Sequence, residues 1–372
     1  MKYQIISADS HVNEPEDLWQ KRLPEKLRPM GYKLVDCDDG GQGWTAEGAK
    51  PTSYGLIAVA QTGGDFTKYK ASGVRFADLP PGNYDPIEHL KDQDKDGIDA
   101  SVMYPGQGMQ LPQIKDKELR LASYRAYNDW LVEDFASANP KRIIPLAMIP
   151  VDDDIDECVA EYERCIRKGH RGAVLHTYPF YHAYTDRHFD PLWRAAEASG
   201  FPLHFHRVIA KQKPVPFAMK QTDATWLAGS VLRFFAPMEP ICYMVFSGIF
   251  HRHPKLKIVS AESEFGWWPF FVQACDDSWE RQRHWSKSEL TEKPSEYFRR
   301  QVYLTFMNDV VGCSNLKFIG TDNFMFATDY PHSVSVWPNS RRYIAEQMAG
   351  IAPDVQDKLK ASNAVRLYDL AA

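Results

Sequence analysis

No stretch of this 372-residue sequence approaches the roughly 18–20 uninterrupted apolar residues of a membrane span, so a membrane-embedded chain is not expected. Basic charge is in short supply too. Lys and Arg number 44 against 49 Asp and Glu, and a net charge of −5 offers no field for nucleic acid. The six cysteines, Cys37, Cys158, Cys165, Cys242, Cys275 and Cys313, are scattered with no C-x-x-C pair and read as buried thiols. No flavin or nicotinamide fingerprint is visible. The opening Met1-Lys2-Tyr3-Gln4 leads into no signal-like apolar stretch, and the cytoplasm is the expected compartment. What is present is a globular composition, 44% hydrophobic and 25% charged, sufficient for a large core.

The most informative feature is Asp9-Ser10-His11, at the end of the first apolar run. In an extended strand, residues i and i+2 point to one side, so Asp-x-His delivers a carboxylate and an imidazole to one spot. A solvated strand end whose Asp caps the next turn is the plain alternative. The arrangement recurs, however: His206 closes Phe201–His206 and Asp329 closes Phe324–Asp329. Three distant strand-like runs ending on His or Asp suit a metal site at the top of a parallel barrel.

Eight β-like runs are expected, at Gln4–Ala8, Ala100–Tyr104, Ile143–Ile149, Ala173–His176, Pro202–His206, Leu256–Glu262, Gln301–Phe306 and Asn323–Thr328. Helical patterns fall between them at Leu119–Ala138, Asp156–Lys168 and Asp190–Ser199, with another around Ala224–Phe250. Strands alternating with helices predict an α/β fold, a distorted (β/α)8 TIM barrel. One domain over 1–372 is expected, with a long insertion after the first strand at about 12–97, rich in Gly, Pro and aromatics. His251 and His253 fall before the sixth strand and are expected to be structural. Trp267, Trp268, Phe270 and Phe271 read as helix-packing or subunit-interface residues, and Asn308-Asp309 either reaches the site or caps a helix.

Asp-Ser-His-Val-x-Glu-Pro at 9–15 resembles the opening of amidohydrolase-related proteins of the aminocarboxymuconate-semialdehyde decarboxylase type. Gly200–His206, Gly248–Leu256, Glu262–Trp267 and Asp329-Tyr330-Pro331-His332 are similar to the same family, in the same order along nearly the whole chain. The resemblance implies a distorted TIM barrel with a mononuclear or dinuclear metal centre at the strand C-termini. It matches Asp9, His11, His206 and Asp329 to metal ligands, and gives Asp329 a second role as base. This chain departs from the pattern in opening with Asp-x-His rather than His-x-His or Glu-x-His. It also carries Glu262 where the sixth strand of the decarboxylases often ends in His. His176 ends the fourth strand, where binuclear relatives bring a bridging ligand, and Glu14 and His332 lie near presumptive ligands.

With up to eight donors converging, a dinuclear centre is expected, of Zn, Fe or Mn, since the set is carboxylate and imidazole without thiolate. Glu262 either ligates a second ion near His176 or orients His11 or His206. His204 shares the strand tip with His206 and either meets substrate or packs in a barrel layer. Asp329, Glu262 and His204 are therefore the candidate catalytic residues. The expected activity is hydrolysis or decarboxylation of a small carboxylated or cyclic substrate. The alternative is a dinuclear Fe or Fe/Mn monooxygenase served by a separate reductase. A non-enzymatic subunit paired with an active paralogue is a third reading, against which the full ligand set argues. A homo- or hetero-oligomer of barrel subunits is expected, with a small-molecule substrate as ligand.

Overall fold

The structure, a computed structural model, describes residues 2–53, 55–57, 65–206 and 225–370. Parallel strands form two arcs. One is three-stranded, ordering Ile6–Val12, Ala100–Pro105 and Ile143–Pro145; the other runs Ala147–Met148, Ala173–Leu175, Leu203–His206, Ile258–Ala261, Val302–Phe306 and Phe324–Phe326. These are the eight expected runs, with the third split. Ile143–Pro145 pairs with the second strand and Ala147–Met148 with the fourth, so one continuous stretch of chain serves both arcs. Among the described residues no ladder joins the eighth strand to the first. Isolated bonds do, from Asp329 N to Asp9 O at 2.9 Å, from His11 N to Tyr330 O at 2.6 Å, and from Thr328 N to Ser7 Oγ at 2.9 Å.

Side-chain alternation separates two interiors. From the fourth strand onward, Val174, Val259, Ala261, Tyr303 and Met325 pack into one cluster, while Ala173, Leu175, Leu203, Phe205, Leu304 and Phe326 pack into the other beneath the helices. Val174 faces His204 in register, which puts His204 and His206 on the inner side with the first set.

The first strand is longer than its hydrophobic run suggested. Gln4–Ala8 was the expected span, but pairing with Ala100–Pro105 continues through Val12, with a register shift between Ser7 and Ser10. Asp9 and His11 therefore lie within the strand rather than at its tip. The expected helix at Ala224–Phe250, whose first residue lies outside the described residues, is broken into Thr225–Leu232, a single turn at Arg233–Phe235, and Met238–Phe246. Pro237, which has no N–H to donate, separates the last two, and Gly248 at φ 76° ends the run before Ile249–Arg252.

Helices elsewhere follow their caps. Ile155–Lys168 starts on Asp154, whose side chain accepts from Asp156 N, carries Asp156 and Glu157 in its first turn, and stops at Gly169. Between the first two parallel strands lie a short antiparallel sheet of Lys33–Asp36, Gln42–Thr45 and Thr52–Ser53 and the helix Pro86–Asp96, capped by Asp85. His253 is buried against Asp190 and Glu197, at 3.7 and 3.5 Å.

Asp309 is a cap. Its carboxylate accepts from Gly312 N at 2.7 Å, opening the helix Val310–Ser314, and from Phe265 N and Gly266 N at 2.6 Å each, tying the turn after the sixth strand to the seventh. Asp309→Ala would strip three buried N–H groups of their acceptor, and a loss of about 2–4 kcal/mol in folding stability is expected. Urea denaturation of the variant beside the parent measures it; a loss under about 0.5 kcal/mol, the range of an ordinary surface change, contradicts the capping role.

Candidate metal centre

The inner side of the strand C-termini collects five titratable side chains. His11 Nε2 lies 3.3 Å from Asp9 Oδ1, 3.1 Å from Asp329 Oδ1 and 3.2 Å from His206 Nε2. His206 Nε2 is in turn 3.9 Å from Asp9 Oδ2 and 3.4 Å from Glu262 Oε2. All five residues are 3% exposed or less, so water supplies little of their solvation. Two overlapping donor sets result, Asp9–His11–His206 and His11–Asp329–His332, each with its atoms within 4.8 Å of one another. Because both contain His11, they describe one neighbourhood.

Local backbone geometry aims these groups. The first strand carries a register shift between Ser7 and Ser10, and beyond it Asp9 and His11, two residues apart, share one side. His11 Nδ1 lies 2.9 Å from Pro105 O; donating there leaves Nε2 to face the carboxylates. Glu262 and Asp329 each follow a strand in the left-handed conformation, φ 53° and 50°. Glu262 N donates to Thr305 Oγ1 at 2.8 Å, which holds that turn. A hydroxyl trio of Ser7, Ser10 and Thr328, at 2.8–3.1 Å, fastens the backbone beneath Asp9 and Asp329.

Among the described residues three buried carboxylates surround two imidazoles, a setting that favours positive charge beside them. Burial works against a proton on His11, but Asp329 and Asp9 outweigh it and raise its pKa to about 10. Burial would likewise raise the Asp329 carboxyl, yet His332 and His11 hold it far below the usual carboxylate range. A divalent ion meets the same demand at the same atoms, and the donor set, buried, anionic and free of thiolate, fits one.

The other expected site residues divide. His332, part exposed, joins the centre: its Nδ1 is 3.0 Å from Asp329 Oδ1 and its ring stacks on His11 at 3.9 Å. Glu14 does not; its carboxylate accepts from Gly106, Gln107 and Gly108 N–H groups at 2.8–3.2 Å and anchors the loop after the second strand. His204 sits deeper, with Nδ1 2.6 Å from Tyr104 Oη and its ring stacked on Tyr368; burial pushes its pKa down to about 3, so it is held neutral. His176 belongs to neither donor set and lies 2.8 Å from Asp152 Oδ2. Asp152 gives no signal of its own in the sequence, where Val151-Asp152-Asp153-Asp154 reads as an acidic lead into a helix.

A family model described as amidohydrolase matches residues 69–370. A 2-amino-3-carboxymuconate-6-semialdehyde decarboxylase from Dictyostelium discoideum is 25% identical over 272 residues, 71% of each chain. Among solved structures, an amidohydrolase from Mycobacterium avium subsp. paratuberculosis K-10 superposes with a TM-score of 0.76 at 21% identity, covering 99% of this chain and all of the other. A dihydroxybenzoic acid decarboxylase from Polaromonas sp. JS666, with bound manganese and the inhibitor 2-nitroresorcinol, gives 0.66 at 19% identity, covering 99% and 98%.

The raised pKa of His11 fixes a pH dependence. Its proton adds stability that is complete below about pH 6.5 and is lost as pH rises toward 10. Metal-free protein is expected to lose denaturation midpoint steadily from pH 7 to 10, whereas manganese-loaded protein keeps it and releases protons on loading. Urea titrations of both forms check this; a midpoint equally flat in the two forms contradicts it.

Proposed function

The chain belongs to the amidohydrolase family, and we propose that it is a metal-dependent decarboxylase of a small carboxylic acid. The observation that carries the reading is Asp329, a buried carboxylate held 3.1 Å from His11 and 3.0 Å from His332, beside Asp9 and His206. Asp9, His11, His206 and Asp329 would hold one divalent ion; the manganese in the dihydroxybenzoic acid decarboxylase supports Mn, and the donor types also suit Zn or Fe. One ion rather than two is favoured because both donor sets share His11. When bound, the ion supplies Lewis acidity toward an oxygen of the substrate.

The rest is the work of this chain's own residues. Asp329 and the part-exposed His332 form a path by which a proton passes between solvent and the site, and so supply the proton that replaces the departing carboxyl. Glu262 Oε2, 3.4 Å from His206 Nε2, faces the nitrogen that would ligate, so its carboxylate borders the space of the ion rather than steadying the ring from its other nitrogen. The decarboxylases among the relatives favour decarboxylation over hydrolysis. The two parallel arcs are taken to close as a (β/α)8 barrel in one domain, 1–372, with 12–97 inserted; the Asp329–Asp9 backbone bond and the shared 143–148 stretch support this.

One observation favours a second reading. The three carboxylates Asp9, Glu262 and Asp329 would stabilise a higher oxidation state of Fe or Mn, as an oxygenase needs. Oxygen separates the two. Manganese-loaded protein given hydroxybenzoates and 2-amino-3-carboxymuconate 6-semialdehyde under strict anaerobiosis is expected to release one CO2 per acid consumed. Asp329→Asn should lower kcat by about 10³-fold, within the range for loss of a proton-transfer group. Turnover that requires O2, or product formed without CO2, contradicts the decarboxylase.

A further inference from the structure

The stretch between the first two parallel strands grips the turn that carries His332. On the helix Pro86–Asp96, Asp92 accepts from Tyr330 Oη through Oδ2 at 2.5 Å, and from Trp337 Nε1 through its backbone carbonyl at 2.9 Å. One residue thus holds both ends of the run from Tyr330 to Trp337. One helical turn on, Asp96 accepts from the N–H and the hydroxyl of Ser340. Tyr330 and Trp337 are buried against each other, with ring centres 5.4 Å apart, in a cluster separate from the two large ones. His89, from the same helix, meets the Tyr330 ring at 5.3 Å. The bond from the phenol to the Asp92 carboxylate has the short length of a charge-assisted one.

Tyr330 in turn touches the centre. Its carbonyl accepts from His11 N at 2.6 Å, and its neighbour Asp329 donates its own N–H to Asp9 O at 2.9 Å. The same short run therefore fixes the backbone of His11 and presents both Asp329 and His332, whose ring stacks on that of His11 at 3.9 Å. A glycine makes room for the clamp. A Cβ on Gly82 would lie 2.0 Å from Asp92 Oδ2 and 2.6 Å from Tyr330 Oη, so any side chain there would part the two. Gly82 O also lies 3.0 Å from His89 Nδ1, and Asn83 O accepts from Asn13 N at 2.8 Å, which ties this turn to the residue after the first strand.

Resting on the metal centre of the reading above, we propose that Asp92 is a positioning residue for that centre: by holding Tyr330 it fixes the spacing of His11 and Asp329, and so sets how tightly the ion is held. Asp92 lies outside both donor sets. It acts through one side-chain bond and the backbone of Tyr330, as groups behind metal ligands do when they tune affinity.

Manganese dissociation constants of the full chain, measured by equilibrium dialysis, test this. Tyr330→Phe keeps the ring and removes one oxygen, and Asp92→Ala removes the acceptor. Each should weaken manganese binding at least about 10-fold. Asp92→Asn, whose amide oxygen still accepts from the phenol, should stay within about 3-fold of the parent. Because the two residues act through one bond, Asp92→Ala combined with Tyr330→Phe should lose no more than about 3-fold beyond either alone. Circular dichroism before loading shows which variants are folded; if Asp92→Ala is not, Tyr330→Phe and Asp92→Asn decide. Parent-like affinity in Tyr330→Phe overturns the proposal. So does an Asp92→Asn that binds as weakly as Tyr330→Phe, or a double variant in which the two losses multiply. A folded parent that holds no manganese removes the metal centre and the proposal with it. The expected manganese constants with no CO2 from any acid leave the proposal standing and remove the decarboxylase reading alone.

Discussion

Buried negative charge is the constraint on which this structure turns. Among the described residues, Asp9, Glu262 and Asp329 are buried within reach of two inward imidazoles, His11 and His206, and a third at the rim, His332. An isolated buried carboxylate carries a penalty of several kcal/mol, so three together persist only with cations among them. A proton on His11 meets part of that demand, which is why its pKa climbs to about 10 despite its burial. A divalent cation meets it more fully, and the same atoms serve either occupant.

Holding such a group in place falls to the strand ends. Glu262 and Asp329 both adopt left-handed backbone angles, a conformation that costs a residue with a Cβ roughly 1–2 kcal/mol. Specific bonds offset the strain: Glu262 N to Thr305 Oγ1, and Asp329 N to Asp9 O. The second of these also ties the first strand to the residue that follows the last, so one hydrogen bond both positions a candidate ligand and links the edges of the two arcs. The Asp309 cap, spanning two turns, sets the loop from which Glu262 emerges.

Much of this is legible from residue order. Asp9-x-His11, His206 and Asp329 stand out because strand alternation makes their side a consequence of position, and the strands were found within a few residues because buried runs bounded by polar turns are strong signals. The parts that were not legible depend on contacts between distant residues. The register shift that sets Asp9 and His11 within their strand needs the partner strand. That Glu14 turns to three backbone N–H groups, and His204 to Tyr104, follows from which neighbours each meets after folding. His176 looked like a ligand by placement alone; Asp152, out of sight in an acidic run, gives it another neighbour. The helix expected over Ala224–Phe250 failed for a local reason, Pro237, that was visible but outweighed by the surrounding apolar pattern.

The central claim is that one cation occupies the space shared by Asp9, His11, His206 and Asp329. Elemental analysis of protein purified without oxygen and then saturated with manganese tests it most directly, with His206→Ala measured alongside. One tightly held ion per chain, lost in His206→Ala, is the predicted result. No retained ion in the parent, two ions per chain, or full occupancy in the variant would contradict it.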